Sequence, residues 1–79
     1  PGAARSPAGW YYRAAALALL GLPGEAERIL TDGLALHEHA ALHFARSVAR
    51  VARGDLAGAR ADLTAAWRTL EALASSALP

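Results

Sequence analysis

The chain repeats itself at a fixed interval. Gly21-Leu-Pro-Gly-Glu-Ala26 and Gly54-Asp-Leu-Ala-Gly-Ala59 stand 33 positions apart, and the same shift pairs Tyr11 with Phe44, Arg13 with Arg46, Ala16 with Ala49, Leu30 with Leu63 and Thr31 with Thr64. A period of about 20–50 residues marks a stacked architecture, in which one supersecondary unit cannot bury its apolar face without a neighbour. Two such units take up nearly all of the 79 residues. Arrays of this kind generally act by holding a partner, so the repeat points to an interaction scaffold.

Helix signals recur in step with the repeat. Ser6 followed by Pro7 is a helix start, because the hydroxyl accepts an orphan N–H and proline's missing donor costs nothing in the first turn. Trp10, Tyr11, Ala14, Ala15, Ala18 and Leu19 then form an amphipathic stripe that stops at Gly21. Pro23 opens a second helix with Glu25 and Glu27 near its positive end and Ala26, Ile29, Leu30, Gly33, Leu34 and Leu36 as its apolar set. A third is expected from near Glu38 with Leu42, Ala45, Val48, Ala49 and Ala52 inward. A fourth is expected after the N-cap Asp55 with Ala59, Leu63, Ala66, Trp67 and Leu70 inward. Strand formers are scarce. The expected fold is all-α: two stacked antiparallel helical hairpins over residues 7–74, the first unit near 7–37 and the second near 38–74. A disordered segment at 1–6 and a frayed end at 75–79 flank them.

Composition narrows the function classes. A chain of 79 residues buries only about 60% of the surface its unfolded form exposes, and with no cysteine it has no disulfide to add to that margin. Arginines and acids interrupt every apolar run, so no segment approaches the roughly 20 apolar residues of a membrane span. Net charge is +1, which implies no bulk attraction to nucleic acid or anionic lipid. No leader pattern is present, and the expected compartment is the cytoplasm. The chain begins at Pro1 and holds two units where about three are normally needed, so it is expected to be a segment of a longer protein. Its Ala, Leu, Arg and Gly content is like that of a GC-rich bacterial genome.

The residues at the turns carry a resemblance to the tetratricopeptide repeat family, whose unit is a helical hairpin of 34 residues. That family places a glycine five positions before a small alanine at a close helix crossing, as in Gly21 with Ala26 and in Gly54-Asp55-Leu56 with Ala59. A large apolar residue follows four positions later and a small one three beyond that, matched by Leu30 with Gly33 and by Leu63 with Ala66. Trp10 falls where the family favours tryptophan, with Ala14 as the small residue after it. In the second unit His43 and Ser47 take those places, and a shift of one residue would put Tyr11 and Phe44 in the aromatic slot instead. The resemblance covers residues 8–73 and implies protein recognition along the first helices of successive units.

Arg46, Arg50 and Arg53 fall at i, i+4 and i+7, so their guanidinium groups project from one side of the third helix, and Arg13 is the counterpart of Arg46. With Tyr12 these residues are candidate contacts for an acidic peptide or a terminal carboxylate. The competing reading is an ordinary charged face whose arginines pair with Glu27, Asp32 or Asp62. The lysines and asparagines of the family's carboxylate-clamp members are missing. Trp67, Leu70 and Leu73 lack a following unit and are candidate oligomer contacts, as in a homodimer, or docking contacts to the rest of a parent chain such as a bacterial transcription regulator. Tyr11, Tyr12 and Trp10 form an aromatic patch. His39 and His43 have i, i+4 chelate spacing beside His37 and Glu38, but without cysteines no closed metal site is expected. No nucleophile, base and orienting acid are grouped, so neither catalysis nor a cofactor is expected.

Overall fold

The computed structural model describes residues 6–77, and the expectations for residues 1–5, 78 and 79 lie outside the described residues. Four helices follow one another: α1 (Pro7–Leu19), α2 (Pro23–Leu36), α3 (Ala40–Ala52) and α4 (Leu56–Ala77). Each connection is three residues, too short for anything but antiparallel neighbours. Contacts run α1 to α2, α2 to α3, α3 to α4 and α1 to α3. Among the described residues, α2 and α4 make no close backbone approach to each other. The body measures 44 × 34 × 18 Å, about two helices thick.

The 33-residue interval holds in the backbone hydrogen bonds. Leu22 N–H bonds Leu17 C=O at 2.9 Å and Gly21 N–H bonds Ala18 C=O at 3.0 Å. The same pair recurs as Asp55 to Arg50 at 2.8 Å and Gly54 to Val51 at 2.9 Å. This closure satisfies the last helical carbonyls but needs a left-handed residue, and the two glycines supply it with φ of +79° and +83°. Three of the four helix starts carry a side-chain cap, and α2 follows Leu22 without one. Ser6, expected both as the first cap and as the last residue of the flanking segment, accepts Gly9 N–H at 3.2 Å, and Asp55 accepts Gly58 N–H at 2.9 Å. His39 caps α3 by accepting Ala41 N–H at 3.1 Å, so that helix begins at Ala40 and not at Glu38.

Small residues set the packing. The core is Ala14, Ala26, Leu30, Leu42 and Ala49, with Trp10, Leu17, Ile29, Leu34 and Ala45 packed around it. A Cβ added at Gly33 would lie 2.8 Å from Trp10 Cγ, so the indole rests directly on the α2 backbone. This settles the register of the first helices: Trp10 and its counterpart His43 face into their hairpins, while Tyr11 and Phe44 face out.

Three expectations are corrected. Helix α4 does not fray at Ser75-Ser76 but continues to Ala77, with Ser76 Oγ donating back to Ala72 C=O at 2.7 Å. Its inward stripe is Ala59, Asp62 and Ala66; Leu63, Trp67 and Leu70 are 47%, 64% and 52% exposed. The reason is the repeat itself. Leu30, the counterpart of Leu63, is covered by the next helix, α3, whereas nothing among the described residues covers Leu63. Leu36, Val48 and Ala52, also expected inward, are exposed.

Gly33→Ala should cost about 1–3 kcal/mol in urea unfolding through overpacking against Trp10, and the second change Trp10→Leu should recover part of it. Equal loss in the single and double variants would contradict this contact.

Candidate functional site

Two surfaces of α3 are chemically opposite. Phe44 and Arg46 differ by two residues, so their side chains leave the helix about 200° apart. The arginine side turns inward into the crevice between α2 and α4. The other side lies open beside α1.

In the crevice, Asp62 is only 2% exposed and is among the three largest fully buried side chains of the described residues. Arg46 clasps it with Nε donating to both carboxylate oxygens at 3.1 and 3.0 Å and Nη2 to Oδ1 at 2.7 Å. Arg50 adds a bond from Nη1 to Oδ2 at 2.9 Å and reaches across to Glu27 on α2 through Nε at 2.9 Å. Arg53 also donates to Glu27, and Arg46 Nη1 donates to Thr31 Oγ1 at 3.2 Å. Arg46 and Arg50 of α3 thus tie α2 to α4, two helices with no close backbone contact, and Arg53, just past the end of α3, adds to the Glu27 side. Burial alone would raise the Asp62 pKa, but the hydrogen bonds and charge of Arg46, with Arg50, outweigh it and hold the carboxyl below its ordinary value. The hydrogen bond from Arg50 does the same for Glu27, against burial and with help from Arg53.

The candidate partner contacts are therefore redistributed. Arg46 and Arg50 are committed to Asp62 and Glu27, so their guanidinium groups are not offered to an acidic partner, and Arg53 shares Glu27. Glu27 and Asp62 are two of the internal acids that the competing reading named; Asp32 is exposed on α2. Arg13 lies over the Trp10 ring at 5.3 Å, and Tyr12 is 70% exposed. Trp67, Leu70 and Leu73 line the uncovered side of α4. The histidines do not converge: His39 Nδ1 caps α3, while His43 Nε2 lies 2.5 Å from Glu38 Oε1 and its Nδ1 3.6 Å from Asp62 Oδ1. Among the described residues, no group of three or more His, Asp or Glu side chains could hold a metal.

The open side carries the concavity. A groove of about 310 Å³ runs between α1 and α3, walled by Tyr11, Ala15, Leu19, Phe44 and Val48 and floored by Leu30. Tyr11 and Phe44 also border a second hollow of about 320 Å³ toward Pro7 and His39. Together they form an apolar trough along α1, which at 13 residues is about 20 Å long. No charged side chain lines the groove. Tyr11 meets Tyr12 edge to face at 5.6 Å, which steadies the upper wall. Sequence reading missed Phe44 and Val48 as wall residues; the signal was their 33-residue pairing with Tyr11 and Ala15 on the side away from the arginines. Among the described residues, no helix is long and apolar enough to cross a membrane. Comparison with family models, curated proteins and solved structures gives no match for this chain.

Asp62 and Glu27 are more acidic folded than unfolded. Their contribution is complete above the ordinary values of 3.8 and 4.5 and is lost as pH falls through their lower folded values. Asp62→Asn should cost about 3 kcal/mol at pH 7 by leaving two arginines without their shared carboxylate, and the gap to the parent chain should close in acid. Urea titrations at neutral pH and near pH 3 read both effects. A gap that persists unchanged in acid would contradict the ionic account.

Proposed function

We propose that this chain is a protein-recognition module whose binding surface is the apolar trough between α1 and α3. The observation that carries the reading is that a groove of about 310 Å³ with no charged side chain in its lining lies along the first helices of the two units. A groove of a few hundred Å³ lined by aromatic and aliphatic side chains is the usual form of a non-covalent binding site. The tetratricopeptide resemblance supports the same side of the array.

The partner that fits is an amphipathic helix. A trough about 20 Å long matches three to four helical turns, which present apolar anchors at i, i+3, i+4 and i+7. Tyr11 and Phe44 divide the trough and would sit between successive anchors. An acidic peptide is a poorer match than expected from sequence, because the arginines proposed to hold it already neutralise Asp62 and Glu27.

Selection from a displayed library of random helical peptides tests the reading. Recovered sequences should carry apolar anchors at helical spacing. Val48→Asp and Phe44→Glu should each weaken their binding about 10-fold or more, as truncating a central anchor contact does. Peptides recovered as acidic and non-amphipathic, or binding unaffected by either substitution, would overturn the assignment.

A further inference from the structure

We propose that the chain associates head to tail with a second copy of itself, the uncovered side of α4 in one molecule receiving the uncovered side of α1 in the next. The seam between α2 and α3 is the template. There Leu30 is 1% exposed and, with Leu34, shares one core with Leu42, Ala45 and Ala49 of α3. Adding the 33-residue interval carries Leu30 to Leu63 and Leu34 to Trp67, which are 47% and 64% exposed. Subtracting it carries Leu42 to Gly9, which offers no side chain, Ala45 to Tyr12, Ala49 to Ala16 and Arg53 to Leu20; Tyr12 and Leu20 are 70% and 73% exposed. Each end of the molecule is thus one half of a contact that the chain already makes internally.

The polar part of the seam is conserved in type at one point and changed at another. Arg46 donates to Thr31 across the seam, and Arg13 and Thr64 stand at the matching places on the two ends. Glu27 is replaced by Arg60, and Arg50 and Arg53 by Leu17 and Leu20. Leu17 is already packed in its own core, so the end contact sets Arg60 with the exposed Leu20 where the internal seam has its ion cluster. The larger Tyr12 and Trp67 in place of Ala45 and Leu34 also set the end contact wider than the internal seam. Because the two faces differ, the contact is heterologous and leaves a free end at each step. This association shares Tyr12 with the border of the second hollow but not the groove walls at Phe44 and Val48, so it is tested separately from the peptide-binding reading.

Sedimentation velocity from micromolar to millimolar concentration tests the inference with the parent chain, Trp67→Glu and Leu20→Glu. The parent chain should form a concentration-dependent series extending beyond dimers. Each variant alone should associate at least about 10-fold more weakly, since every contact then includes a blocked face. Mixing the two variants should restore a single 1:1 dimer that does not extend, because one intact face of each kind remains. Val48→Asp should associate like the parent chain. Circular dichroism verifies that the variants are folded; if either is not, Leu63→Lys and Ala16→Glu block the same faces. A parent chain that stays monomeric throughout would overturn the proposal. So would a Leu20→Glu variant that dimerises while Trp67→Glu does not, since that pattern means α4 pairs with α4.

Discussion

A single buried carboxylate organises the second half of this molecule. Asp62 lies where the apolar interior of a helical hairpin would be expected, and α3 and α4 meet around it. An isolated carboxylate there would be costly to bury. It is accommodated because Arg46 and Arg50 approach it from the facing helix with charge-assisted, near-parallel bonds. Removing the acid strands two guanidinium groups, and removing an arginine leaves the acid undersupplied. Arg50 extends the same network to Glu27, so the junction between the two units depends on it as well.

The two hairpins share one geometry and differ in chemistry. Trp10, Leu17, Ile29 and Gly33 of the first unit correspond to His43, Arg50, Asp62 and Ala66 of the second. The two backbone bonds that close each glycine turn are the same in both. The first unit is held by an indole lying on a bare stretch of helix. The second is held by an ion cluster with His43 beside it. Pairing a dry interior with a charged one at equivalent positions keeps the charged crevice on one side of α3 and leaves its other side free to form an apolar groove.

Much of the architecture was legible because it rests on local rules. Glycine at a left-handed closure, proline in a first turn and serine or aspartate as a cap act within a few residues, so four all-α segments with short turns follow from the sequence. What was not legible depends on which neighbour is present. Leu63 and Trp67 have apolar character and helical spacing, yet whether they are inside is decided by a helix that would have to lie over them. Asp62 reads as a surface acid until Arg46 and Arg50 are placed opposite it. The arginine stripe was found by its spacing, but spacing does not say which way a helix is rotated. That rotation moved the candidate contact surface from Arg46 and Arg50 to Tyr11, Phe44 and Val48.

An apolar groove on one side and uncovered apolar faces at both ends give a small module whose specificity would lie in shape and anchor spacing, with its charge kept for its own cohesion. The claim underlying this is that the α3 arginines are structural. A double-mutant cycle of Arg46→Ala with Asp62→Ala in urea measures it most directly. The account predicts a coupling of about 2 kcal/mol or more, as for neighbouring groups in one buried network. A coupling within a few tenths of a kcal/mol of zero would mean the pair contributes nothing to holding α3 and α4 together, and would contradict it.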